Sequence, residues 1–69
     1  MRIKNAEDLG SEIRKRRKNL GYTQQDIAAR TGLSASFISD VENGKETAEI
    51  GKIMLLLSIL GLNLYMKER

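Results

Sequence analysis

Residues 21–45, GYTQQDIAARTGLSASFISDVENGK, constrain this chain most, because their caps and breakers leave room for only two short helices and a tight turn. Thr23 offers an N-cap hydroxyl for a helix from Gln24 to about Thr31. Gly32 tolerates positive φ and ends it. Ser34 caps the next helix, about Ala35 to Glu42, which stops at Asn43-Gly44. Only Gly32 and Leu33 separate the last helical residue from the new cap, so the two helices must cross steeply. Ile27, Ala28, Leu33, Ile38 and Val41 give the pair one apolar side. Ala35, Ser36, Ser39 and Asp40 are left largely outside the core.

The flanks add two further helices. Asn5 can cap a first helix from Ala6 to about Asn19, with Asp8 at the third position in a box-like arrangement. Leu9 and Ile13 share its inner face, Leu20 extends it and Gly21 ends it. Thr47 is the expected cap of a fourth helix from about Ala48 to Leu60, with Ile50, Ile53, Met54, Leu57 and Leu60 as its inward stripe. Leu55, Leu56 and Ile59 then fall on other faces. A helix apolar almost all round is either a central core helix sheathed by the other three or one covered by a second chain. The tail Leu62-Asn63-Leu64-Tyr65-Met66-Lys67 alternates with a period of two and reads as a β-strand. A lone strand exposes unpaired N–H and C=O groups, which the same strand of a symmetry mate would satisfy. A frayed or helical tail is the other reading.

Sixty-nine residues allow a single domain, near the lower limit at which a core alone stabilises a fold. With no cysteine and no histidine, disulfides, thiolate metal sites and the commonest catalytic base are excluded. Asp26, Asp40, Glu42 and Glu46 scatter over different faces, and no nucleophile–base pair or phosphate-cradling glycine loop occurs, so neither an enzyme nor a cofactor is expected. No stretch has the character of a signal peptide or a membrane span, and a cytoplasmic location is expected. The net charge of +3 is unevenly placed. Arg14, Lys15, Arg16, Arg17 and Lys18 stand together, which suits a polyanionic partner or, more plainly, a solvated helix face.

Thr23-Gln24 opening one short helix and Glu42-Asn43-Gly44-Lys45 closing the next resemble the XRE-type helix-turn-helix of phage lambda-type repressors. Asp8-Leu9-Gly10, Ile13 to Arg17, Thr47 to Lys52 and Leu60-Gly61-Leu62 are similar to the flanks of HipB-type antitoxins and their stand-alone relatives. The resemblance covers nearly the whole chain. It implies an all-α, lambda-repressor-like bundle of four helices, with a C-terminal strand that pairs across a homodimer. It also implies a buried ion pair between Arg17 and Glu42, and a HipA-like serine/threonine kinase toxin as a second partner.

Binding duplex DNA requires anchoring on phosphates and reading of bases. For anchoring, the second helix offers its N-terminal N–H groups, the Gln24 amide and the Thr23 hydroxyl, although capping alone explains Thr23. Asn43 and Lys45 would reach the backbone across the groove, and Arg14 and Arg16 would add charge. For reading, Ser34, Ala35, Ser36, Phe37, Ser39 and Asp40 form the groove-facing set. A serine hydroxyl can donate or accept, an alanine methyl can meet a thymine methyl and Asp40 can accept from cytosine N4. Phe37 either wedges against sugar or thymine or packs on the first helix. No Arg, Asn or Gln lies among them to make bidentate contacts, so part of the specificity is expected from DNA shape and water. The expected function is that of a homodimeric repressor on a palindromic operator, held together by Leu55, Leu56, Ile59, Leu62, Leu64 and Met66. A regulator without a toxin and a pure protein-interaction module are the alternatives.

Overall fold

Three helices begin where a short polar side chain takes up an orphan N–H group. Asn5 Oδ1 accepts from Asp8 N at 2.8 Å, Thr23 Oγ1 from Asp26 N at 3.0 Å and Ser34 Oγ from Phe37 N at 3.0 Å. The computed structural model describes residues 2–69. It places α1 over Ala6–Asn19, α2 over Gln24–Thr31, α3 over Ala35–Glu42 and α4 over Ile50–Ile59. Gly32 adopts φ +78° and its N–H returns to the Ala28 carbonyl at 2.9 Å, closing α2. The Thr31 hydroxyl then bridges the turn, donating to Ile27 O at 2.8 Å and accepting from Leu33 N at 3.1 Å.

Helix α1 packs on α3, α3 on α2, and α2 on α4. Their shared core is Ile13, Ile27, Ile38, Val41, Ile53, Leu56, Leu57 and Leu60. Leu9, Tyr22, Ala28, Leu33, Phe37, Ala48 and Leu62 pack around it. Leu20 does not extend the inner face of α1. It stands in the C-cap position and is exposed, while Tyr22 fills the place beside the core.

The fourth helix departs from expectation at its start and in its rotation. Thr47 does not cap it, and the helix begins after Glu49, which makes no side-chain cap bond. A turn closed by Ala48 N on Lys45 O at 3.4 Å brings Ala48 against the core, which leaves Glu49 extended. The buried stripe is Ile53, Leu56, Leu57 and Leu60, whereas Ile50 and Met54, expected inside, are 62% and 48% exposed. Leu56, expected at a dimer interface, has no accessible surface and belongs to this chain's own core. Nearly every residue of α4 is apolar, so no polar face fixed its rotation from the sequence.

Beyond α4, Leu62 N donates to Leu57 O at 2.9 Å and seals the helix end. Residues 62–69 carry no strand, so the described residues form an all-helical fold. A strand needs a neighbouring strand, and one copy of this chain supplies none. None of the described helices is long and apolar enough to cross a membrane.

Candidate nucleic-acid interface

The frame of the interface is an ion pair at the junction of α1 and α3. Arg17 Nε lies 2.7 Å from Glu42 Oε2 and Arg17 Nη2 2.9 Å from Oε1, a two-pronged pairing, and Arg17 Nη1 donates to Tyr22 O at 2.7 Å. Both residues are 7% exposed. The hydrogen bond to Glu42 holds the Arg17 guanidinium more firmly protonated, against the opposing effect of burial. No buried side-chain nitrogen or oxygen among the described residues lacks a partner. The two charges are thus fully used within the fold.

Gln24, the first residue of α2, is half-buried and donates from Nε2 to Glu42 Oε1 at 3.2 Å. Thr23 and Asp26 form a complete capping box, Thr23 N donating to Asp26 Oδ2 at 2.8 Å. Thr23 therefore caps. Ser34 and Ser36 are exposed, and Ala35, Phe37, Ser39 and Asp40 are half-buried. Asn43 Nδ2 lies 3.4 Å from Ser39 Oγ. Lys45 Nζ stands 3.5 Å from Asp40 Oδ2, so this acid has a cation beside it. Phe37 packs on the core, with Lys52 Nζ of α4 5.6 Å from its ring centre.

The basic run of α1 divides by placement. Arg14 is exposed and lines a shallow depression with Glu7, Ser11, Glu42 and Asn43, which brings it beside the end of α3. Arg16 turns the other way, its Nε donating to Leu60 O at 2.9 Å, where it holds the C-terminus of α4. A cation there also meets the negative end of the helix dipole. The structure thus joins Gln24, the α3 residues, Asn43, Lys45 and Arg14 on one side and separates Arg16 from them.

Of the two helical glycines, 10 and 51, that the sequence offers for a close backbone approach, the structure uses Gly10. A Cβ at Gly10 would collide with the Val41 carbonyl oxygen and stand 2.9 Å from that of Glu42, so glycine lets α1 touch the last turn of α3. Its position inside an otherwise good helix was the available signal. The stacking of Arg30 on Tyr22, 4.5 Å from guanidinium carbon to ring centre, carried no such signal.

A capped pair of short helices, presenting a small-residue face beside a basic first helix, defines a helix-turn-helix DNA-binding domain. Over residues 13–65 the chain matches the HTH_3 helix-turn-helix family, and it belongs to that family of XRE-type, DNA-binding transcriptional regulators, which are not enzymes. It is 40% identical over 63 residues to the HTH-type transcriptional regulator y4mF of Sinorhizobium fredii, covering 91% of this chain and 83% of that one. The regulator y4dJ of the same organism is 29% identical over 55 residues, covering 80% and 71%. The fold is similar to that in the solved HipB-O4 20mer complex, at a TM-score of 0.91 and 22% identity, over 99% of this chain and 96% of that one. The HipA-HipB-O2-O3 complex matches with the same TM-score, identity and coverage.

Proposed function

We propose that this protein is a homodimeric repressor that binds a palindromic operator, with α3 of each protomer in successive major grooves. The observation that carries the reading is the uncovered apolar half of α4, the helix that packs on α2. Ile50, Met54, Leu55 and Ile59 are all at least 40% exposed, although the opposite side of the helix is already buried in the core. None of the described elements covers them, and in this reading a second copy does. Beside them, an open cleft of about 440 Å³ is lined by Met54, Leu57, Leu62 and Leu64. Residues 62–67 of two protomers then pair as an isologous two-stranded ribbon over this surface. Leu64 and Met66, 49% and 97% exposed in one copy, are buried there together with Leu55, Ile59 and Leu62.

In this reading Gln24, Asn43, Lys45 and Arg14 hold phosphates, and Ser36, Ser39, Ala35 and Asp40 meet base edges. Ser34 and Thr23 cap their helices at the phosphate-facing ends, and Phe37 supports α3 from behind. Titration of a duplex, recovered by selection from random sequences, at two salt concentrations tests the reading. Affinity should fall steeply with salt, log K declining by about 0.9 per neutralised phosphate. A flat response rules the phosphate anchoring out.

The likeness to HipB in the HipA-HipB-O2-O3 complex supports a second role, as an antitoxin that holds a HipA-like serine/threonine kinase inactive and represses its own operon. A kinase-like reading frame adjacent to the gene, whose product co-purifies with this chain and loses kinase activity in the complex, would establish that role. Without such a neighbour, the stand-alone regulator is the reading that holds.

A further inference from the structure

Glu42 uses one carboxylate for two neighbours. Oε2 and Oε1 accept from Arg17 Nε and Nη2 at 2.7 and 2.9 Å, and Oε1 also accepts from Gln24 Nε2 at 3.2 Å. The Arg17 bonds already satisfy the carboxylate, so the longer Gln24 bond is not needed to keep a buried charge partnered. Its consequence is orientation. Gln24 starts α2 with its amide tied to the end of α3, while the next residue, Gln25, is exposed.

We propose that Glu42 is a positioning residue for DNA anchoring, fixing the Gln24 amide so that its second N–H faces a phosphate oxygen. This rests on the reading of Gln24 as a phosphate contact. An amide nitrogen carries two N–H bonds, and one is taken by Glu42. The other makes no hydrogen bond within the fold, and Gln24 is itself the first residue of α2, the end that carries the first-turn N–H groups and the positive end of the helix dipole. The carboxylate does not repel the incoming phosphate, because Arg17 neutralises it at close range. Holding the side chain before binding avoids the entropic cost of immobilising it afterwards, worth about 2- to 10-fold in affinity. The buried ion pair therefore serves the DNA-binding face as well as the fold.

Side-chain ¹⁵N relaxation on the unaltered protein tests the first half. The Gln24 amide should be as rigid as the backbone, and the Gln25 amide mobile; equal mobility overturns the proposal. A binding cycle tests the second half, with the ion pair replaced by apolar residues of similar volume, Arg17→Met with Glu42→Leu, an exchange that folds tolerate well. Gln24→Ala should weaken binding to a selected duplex by about tenfold in the parent. In the apolar-pair background the same change should cost several-fold less. Equal losses in both backgrounds overturn the positioning role while leaving Gln24 as an anchor. No loss in the parent removes the anchor itself. If the apolar pair fails to fold, the relaxation contrast between Gln24 and Gln25 decides alone.

Discussion

A methyl group added at Gly10 has no room, whereas one added at Gly51 meets nothing within 4 Å. The two glycines both sit inside helices, where Ala is intrinsically better by about 1 kcal/mol. Their substitutions should therefore move stability in opposite directions. Gly10→Ala forces α1 away from the carbonyls of Val41 and Glu42 and should destabilise by about 1–3 kcal/mol, as overpacking does. Gly51→Ala should stabilise by about 0.5–1 kcal/mol. Thermal melts of the two variants measure both; a loss at Gly51 would place a second backbone against it. A similar contrast separates two neighbouring arginines. Arg16→Ala removes the bond to Leu60 O and should lower stability by about 1 kcal/mol. Arg14→Ala, at an exposed position, should leave the melt unchanged and weaken DNA binding. Arg17→Ala is more severe, because Glu42 is left buried and unpaired at a cost of about 3–5 kcal/mol, comparable with the whole stability of a small domain.

At the scale of single helices, the start of α2 gives the fold an acid limit. The Thr23 backbone N–H, and after it the Thr23 hydroxyl, hold the Asp26 carboxyl below the ordinary aspartate value. A group whose pKa is lowered by folding stabilises the native state fully above its unfolded value, about pH 4. That stabilisation is lost as pH falls through the lower folded value. Asp26→Asn keeps an acceptor for Thr23 but no charge, so its melting temperature should vary less than the parent's between about pH 5 and pH 2. Identical acid limbs in both would show the capping box to be irrelevant to it. The same cap was legible in the sequence, as were α1, α2 and α3 to the residue, because Asn5, Thr23, Ser34 and the glycines act locally. The rotation of α4 was not legible. It depends on which of several leucines meets Ile27 and Ile38, a tertiary choice that a uniformly apolar stretch leaves open. Of the interface, the exposure of Ser36 on α3 could be read from helical spacing, whereas the turning of Arg16 toward Leu60 depends on how α1 and α4 lie in space.

For the molecule as a whole, the proposed dimer ties the strength of DNA binding to assembly. One protomer measures 38 × 24 × 17 Å, so two copies joined behind the helix-turn-helix can set their α3 helices about 34 Å apart, one turn of B-form DNA. Leu55 is 45% exposed in a single copy and is not one of the core residues, so Leu55→Glu leaves that core in place. Its carboxylate would instead be buried unpaired between two copies, a loss of several kcal/mol of association free energy. The variant should keep the parent's helical circular dichroism, yet sediment at the protomer mass at micromolar concentration. Each freed protomer then grips one half-site, so the slope of log affinity against log salt should fall to about half the parent's. A variant that remains dimeric would move the main interface from α4 to the tail, and Leu64→Glu would then be the change that dissociates it. A parent that is itself monomeric, with the full salt slope intact, would mean that the apolar half of α4 serves some other partner, and that each domain reads its DNA alone.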